Sequence, residues 1–140
     1  MSHESLPQFL AKIDLFEGLS KDTLSDLIER GTTLKVPAGS RVIEQGAHDA
    51  GLQVVLEGSA AVEVNGVVRE PLGVGDYFGE ISLIDGGPRT ATVIAETPMT
   101  VLTLERPAFR RVLESEPDVA VKILASIATM LRRLQRSTTG

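Results

Sequence analysis

The stretch FGEISLIDGGPRTATV, Phe78 to Val93, combines several strong local signals in a short length of chain. After Gly79 comes a short apolar run whose spacing predicts one or two turns of helix. A Gly-Gly-Pro turn at 86–88 ends this helix, and the segment from Ala91 to Ala95 is typical of a β-strand. The stretch therefore predicts a short helix and a sharp turn, placed directly before a strand.

The two charged residues Glu80 and Arg89 favour a ligand that carries both an anion and hydroxyl groups. The first N–H groups of a helix have no partner within the helix and carry partial positive charge, so they attract anions. The flexible turn can fold Arg89 back over this site, and its planar guanidinium suits a phosphate because it donates two parallel hydrogen bonds. A phosphate alone would repel Glu80, which indicates hydroxyl donors beside the phosphate, as in a ribose. The combination predicts a nucleotide.

The stretch resembles the phosphate-binding cassette of the cyclic nucleotide-binding domains, the family of the catabolite activator protein, the regulatory subunits of cyclic AMP-dependent kinase and cyclic nucleotide-gated channels. The pattern F-G-E, a short spacer and P-R-[ST/A]-A-T-V is long and specific. The resemblance implies that Arg89 binds the cyclic phosphate, that Glu80 accepts from the ribose, and that the backbone N–H groups of Ile81, Ser82 and Thr90 bind phosphate oxygens. The candidate binding residues are Gly79, Glu80, Ile81, Ser82, Arg89 and Thr90, with Phe78 and Ala91 as further candidates at either side.

The length of 140 residues and the composition, 42% hydrophobic and 24% charged, predict one globular domain over residues 1–140. The net charge of −5 and the lack of a basic stripe argue against direct DNA binding. Without cysteine, neither a disulfide framework nor a thiolate metal site is possible. No apolar run is long enough to span a membrane, and the first residues do not have the pattern of a secretory signal. We therefore expect a cytoplasmic protein.

The pattern divides the domain into three parts. Residues 1–31 predict N-terminal helices, the first over Leu6 to Leu19 and the second starting after an N-cap at Ser20 and ending at Gly31. Residues 32–104 are short apolar runs separated by glycine, and Asn65-Gly66 predicts a hairpin. The expected fold is an eight-stranded antiparallel jelly roll (a double-stranded β-helix) that contains the cassette, 78–93. Seven strands are predicted individually: Leu34–Val36, Arg41–Glu44, Leu52–Glu57, Ser59–Val64, Val67–Glu70, Ala91–Ala95 and Met99–Leu104.

Residues 105–140 return to helical spacing and end in a long helix that begins at Pro117. Its apolar stripe is suited to packing on the same chain or to pairing with a second helix. In the family that the chain resembles, this helix covers the nucleotide and dimerises some members, so the resemblance implies a lid and a possible homodimer. The stripe consists of Ala120, Leu124, Ile127, Leu131 and Leu134.

The resemblance to the bacterial activators also marks Ser137 and Thr138 as candidate contacts to the base. A frayed chain end is the alternative for these hydroxyls. Thr90 does not decide the ligand: among the resembled kinases a threonine here accompanies cyclic GMP preference, whereas bacterial cyclic AMP receptors also carry a hydroxyl residue. Cyclic AMP (cAMP) is the favoured ligand, and cyclic GMP is the alternative.

The function predicted from these residues is a cyclic nucleotide sensor that acts on an unknown downstream protein through its flanking helices. One alternative is an oligomerisation module that has kept the fold and lost the ligand, which intact Glu80 and Arg89 argue against. Another is a small metal-dependent jelly-roll enzyme, but His3 and His48 are far apart and no nucleophile has an obvious base. We therefore expect neither a metal site nor catalysis.

Overall fold

The computed structural model describes residues 5–48 and 51–139, and their side chains except at 84, 126, 130, 134 and 136–139. Within these ranges, helices at both ends of the chain flank two four-stranded sheets, and a short helix interrupts the β region. The helices are α1 (Leu6–Ala11), a 3-10 helix (Asp14–Phe16), α2 (Lys21–Arg30), α3 (Glu80–Asp85), α4 (Arg106–Ser115) and α5 (Pro117–Thr139). The strands are β1 (Thr32–Val36), β2 (Arg41–Ile43), β3 (Gly51–Glu57), β4 (Ala60–Val64), β5 (Val67–Val68), β6 (Tyr77–Phe78), β7 (Thr92–Ala95) and β8 (Met99–Glu105).

The N-terminal helical segment differs from the sequence prediction, because the helix expected over Leu6 to Leu19 ends at Ala11 and a separate 3-10 helix follows. At about 100° per residue, Leu15 would lie far around a continuous helix from Leu10. The break allows both side chains to be buried in one core. The second helix is as predicted: the Ser20 side chain accepts from the Thr23 N–H at 3.1 Å, and the helix ends at Gly31.

The predicted antiparallel roll is confirmed. One sheet has the strand order β1-β8-β3-β6 and the other β2-β7-β4-β5, with antiparallel pairing throughout. The predicted hairpin joins β4 to β5, where Asn65 and Gly66 both have positive φ, as a type I′ turn requires. Sequence analysis did not predict β6 individually, because two residues are too few for a periodic pattern.

The first sheet lies between two hydrophobic clusters, so β3 and β8 are buried on both faces. Leu52 and Val54 of β3 pack with the flanking helices, whereas Val55 packs between the two sheets. The strand β8 alternates in the same way. The helices and the two sheets therefore form three layers that share one central sheet.

The long helix α5 packs on its own chain through a face that contains only part of the predicted stripe. Val119 and Ile123 are buried in the core, and Ile127 of the predicted stripe packs against the same core. Leu124 and Leu131 of the stripe are 61% and 56% exposed. The expected packing on the same chain therefore holds for part of the stripe. No helix within the described ranges is both long and apolar enough to cross a membrane.

Candidate functional site

The short helix α3 begins and ends at glycines with left-handed backbone, Gly79 (φ +93°) and Gly86 (φ +70°). A Cβ at Gly79 would lie 2.5 Å from Arg89 Nη1 and 2.5 Å from the carbonyl oxygen of Gly51. Both the dihedral angle and this close approach require glycine, because any side chain would displace the arginine. Gly79 is therefore the position at which the guanidinium of Arg89 packs directly against the backbone.

Arg89 is held at its backbone and at its guanidinium, and it is only 3% exposed. Its N–H donates to the carbonyl of Ala47 at 2.8 Å, and its own carbonyl accepts from the Gly46 N–H at 2.8 Å. Arg89 Nη1 donates to the Gly51 carbonyl, also at 2.8 Å. The loop before β3 thus fixes the backbone of Arg89, and the first residue of β3 fixes its guanidinium over Gly79, at the start of α3.

The Gly-Gly-Pro turn between α3 and Arg89 is closed by two side chains of α3. Asp85 Oδ1 accepts from the Gly87 N–H at 2.7 Å, and the buried Ser82 Oγ donates to the Pro88 carbonyl at 3.2 Å. The carboxylate of Asp76 likewise accepts from a backbone N–H, that of Gly73 at 2.8 Å.

Glu80, the first residue of α3, is half-buried, and burial raises the pKa of its carboxyl above the usual 4.5. A backbone hydrogen bond to this carboxyl opposes the effect and is the smaller cause. Burial disfavours the ionised carboxylate because the group loses water, so a hydroxyl donor brought by a ligand would restore part of its solvation.

Glu80→Gln is expected to raise the melting temperature of the ligand-free protein by a few degrees at neutral pH, because the amide carries no charge to desolvate. The pKa of Glu80 is higher in the folded protein than in the unfolded chain, so in the window just above pH 4.5 the folded state binds more protons than the unfolded state. The contribution of Glu80 to the free energy of unfolding therefore rises as the pH falls through that window. Melting curves of both proteins from pH 4 to 8 check this: the difference should shrink towards pH 4. A variant that is less stable than the parent at pH 7 would contradict it.

A cavity of about 1120 Å³ opens between the roll and α5, and α3 and Arg89 form one end of it. The structure brings the predicted cassette residues together, since all of them line this cavity: Phe78, Gly79, Glu80, Ile81, Ser82, Arg89, Thr90 and Ala91. The predicted base contacts Ser137 and Thr138 lie outside the described side chains, and His3 lies outside the described residues.

Most of the remaining residues in the cavity wall were not predicted from the sequence. Apolar residues from the strands form its floor, and the only sequence signal for them was strand alternation, as at Val62 and Val64. One face of α5, spaced at three and four residues, forms the side opposite the cassette. That face consists of Lys122, Ala125, Thr129 and Arg133.

Polar contacts at two points hold α5 over the cavity. Lys122 Nζ donates to the Glu17 carbonyl, next to the 3-10 helix. Further along the helix, Arg133 pairs with Glu70 of the loop after β5 at 3.3 Å, and both side chains are well exposed. Exposed ion pairs contribute little free energy, so the pair of Arg133 and Glu70 adds little to the anchoring that α5 already has through its buried core residues.

The family model "Cyclic nucleotide-binding domain" matches residues 33–116, well over half of the chain. The chain belongs to this family. The predicted family resemblance is therefore confirmed, and the roll with flanking helices is the fold of the family.

Three relatives show how the similarity is distributed. A cyclic nucleotide-gated potassium channel from Mesorhizobium japonicum is 34% identical over 113 residues, which is 81% of this chain and 31% of the channel. The catabolite activator protein of Thermus thermophilus superimposes with a TM-score of 0.79 at 27% identity, over 90% of this chain and 62% of that one. The regulatory domain of Toxoplasma gondii PKA, solved with cAMP, gives 0.75 at 29% identity, over 86% and 48%. The chain thus spans about a third of the length of the curated channel.

Proposed function

We propose that the cavity binds a 3′,5′-cyclic purine nucleotide, with cyclic AMP as the favoured ligand and cyclic GMP as the alternative. The observation that carries this proposal is the buried guanidinium of Arg89, held by Gly51 at the end of a large cavity and beside Glu80. A guanidinium offers its N–H donors in a planar fork that matches a phosphate, and a cyclic phosphodiester supplies the opposite charge. Arg89 binds this phosphate in the proposed complex.

Glu80 accepts a hydrogen bond from the ribose 2′-hydroxyl in this proposal. Its carboxyl is desolvated in the ligand-free protein, so a hydroxyl donor is a suitable partner. The Ser82 side chain already donates to the Pro88 carbonyl, so its backbone N–H, with those of Ile81 and Thr90, is assigned to the phosphate oxygens. The negative phosphate thus pairs with the positive charge of Arg89, and the hydroxyl donor of the sugar pairs with the negative charge of Glu80.

The purine lies towards α5, between the apolar strand residues and the face that begins at Lys122. Thr90 is exposed to the cavity and is placed to contact either the phosphate or a guanine amino group. The PKA regulatory domain that resembles this chain was solved with cAMP, which supports the choice of adenine. Ser137 and Thr138 stay candidate contacts to the base.

The proposed mechanism is a shift between two positions of α5. A nucleotide that touches both the cassette and α5 favours the state in which the helix lies over the cavity. The start of α5 is anchored in the core by Val119 and Ile123. The exposed pair of Arg133 and Glu70 further along the helix adds little free energy, so that part of α5 suits this role. Occupancy is then passed to a downstream protein through α4 and α5.

The rest of the proposed role is regulatory and not catalytic. We place residues 1–140 in the cytoplasm as one regulatory domain that uses neither a metal nor DNA. The exposed side chains of Val121, Leu124 and Leu131 make α5 the candidate surface for a homodimer.

A titration series tests the ligand. Isothermal calorimetry with cyclic AMP, cyclic GMP and 5′-AMP should give binding heat for the cyclic purine nucleotides and little for 5′-AMP, whose phosphate is not joined to the 3′-oxygen. At about 100 times its dissociation constant, a ligand adds about 2.7 kcal/mol to the free energy of unfolding. For a chain of this size that raises the melting temperature by about 5–10 °C.

The proposal would be contradicted if neither cyclic AMP nor cyclic GMP gave binding heat or a shift in melting temperature. Self-association without nucleotide binding would then point to the oligomerisation module, and an activity lost to a chelator would point to a metal-dependent enzyme.

A further inference from the structure

Both ends of α3 are attached to one junction of the first sheet, where β3 begins and β8 ends. Gly51, the first residue of β3, pairs with Glu105, the last residue of β8. The carbonyl of Gly51 accepts from Arg89 Nη1, which lies against the start of α3 at Gly79. The residue after Glu105 is Arg106, and its Nε donates to the Leu83 carbonyl at 3.0 Å, in the last turn of α3. One strand pair therefore carries the groups that hold the two ends of the helix.

The contact at the end of α3 is specific and partly buried. The last carbonyls of a helix have no partner within it, and a cation is favoured there by the helix dipole. Ser82 accepts from the Gly86 N–H at 2.8 Å, and Leu83 accepts from Arg106. A Cβ at Gly86 would lie 2.9 Å from Arg106 Nη1 and 3.0 Å from Cζ, so the guanidinium packs closely against the backbone of Gly86.

The same region of α3 is joined to the C-terminal helices through its side chains. Leu83 is buried in one cluster with Phe109 and Val112 of α4 and Ile123 of α5. The helix α3 is about 9 Å long at 1.5 Å per residue, so a rotation at its last turn also moves its first. The orientation of Glu80 is therefore tied to the position of α4.

We propose that Arg106 is a positioning residue of the nucleotide site. By holding the Leu83 carbonyl it fixes the tilt of α3, which directs Glu80 and the first N–H groups of the helix towards the ligand. The same bond passes a displacement of α3 to α4 and α5. This inference rests on the proposed function, and it assigns a role in the site to a residue outside the cassette.

The test compares binding of cyclic AMP and 2′-deoxy cyclic AMP by calorimetry for the parent, Arg106→Met, Arg106→Lys and Arg110→Met. Methionine keeps an unbranched apolar stem and removes the donor, lysine keeps a donor, and Arg110 is an exposed arginine on the same helix. Arg106→Met should bind cyclic AMP about tenfold more weakly, whereas Arg106→Lys should stay within about threefold and Arg110→Met should equal the parent.

The ratio of the affinities for cyclic AMP and 2′-deoxy cyclic AMP distinguishes a positioning role of Arg106 from a role in stability alone. Loss of folded protein weakens both nucleotides equally, whereas a displaced Glu80 loses its preference for the 2′-hydroxyl, so the ratio should fall towards one only in Arg106→Met. If that variant is too unstable at the titration temperature, the titrations are repeated at a lower temperature at which melting curves show that it is folded. An unchanged ratio and affinity, with the parent binding normally, would overturn the role of Arg106 alone. Absence of binding by the parent would overturn the proposed function and this inference with it.

Discussion

Replacing Arg89 by alanine is expected to weaken cyclic AMP binding by about a hundredfold or more. A hydrogen bond to a charged group contributes about 1.5–3 kcal/mol, and the guanidinium offers a phosphate two of them. A neutral residue 89 would leave the phosphate beside Glu80 without the buried cation that opposes its charge. Calorimetry with the purified variant measures the dissociation constant directly.

Two further variants show whether the loss of affinity comes from the nucleotide-binding site itself. Arg89→Lys keeps the charge and loses the fork, so it should recover only part of the affinity. Arg41→Ala removes an equal charge from an exposed pair with Glu44 and should bind as the parent does. Because Arg89 is buried, melting curves must show that Arg89→Ala is folded at the titration temperature. A folded variant with parental affinity would place the phosphate elsewhere.

Replacing Gly79 by alanine is expected to lower the free energy of unfolding by about 3 kcal/mol or more and to abolish nucleotide binding. The left-handed backbone alone costs an alanine about 1–2 kcal/mol. The new Cβ also meets Arg89 Nη1 and the Gly51 carbonyl, each 2.5 Å away, so it must break the buried bond between them. Losing that charge-assisted bond costs about 1.5–3 kcal/mol more. Urea unfolding with a constant m-value measures the change.

Gly75→Ala is the matched control for this variant. Gly75 has nearly the same backbone angle, φ +90°, but a Cβ there would meet nothing within 4 Å. It should therefore show the cost of the dihedral angle alone, about 1–2 kcal/mol, and bind nucleotide normally. Equal destabilisation by the two variants would mean that the close packing of Arg89 on Gly79 contributes nothing.

The parts of the site that were predictable are those encoded by neighbouring residues. The helix α3, the turn at Gly86 and the hairpin at Asn65 each depend on the conformational preferences of a few adjacent residues, so local sequence is enough to find them. The spacing from Glu80 to Arg89 belongs to the same contiguous motif. The pairing of the strands into a roll followed from their number, length and separators.

The parts that were not predictable depend on contacts between distant residues. The acceptor of Arg89 is a backbone carbonyl at Gly51, 38 positions away, and a carbonyl leaves no mark on the residue type. Which residues of α5 reach the core depends on how the helix packs on the rest of the chain, which periodicity does not describe. Arg106 carries no motif either, since its role comes from the strand pair that places it beside α3.

The carbonyl that holds Arg89 belongs to a strand buried on both faces, and this has a consequence for the lifetime of the protein in a cell. Gly51 begins β3, whose next residues alternate between the two hydrophobic clusters. Loosening the end of the cavity that contains Arg89 therefore also loosens the centre of the fold. A ligand that holds this end closed lowers the population of open chains on which proteases act. Turnover of the polypeptide would then slow as the nucleotide concentration rises, and the amount of sensor would follow the signal it detects.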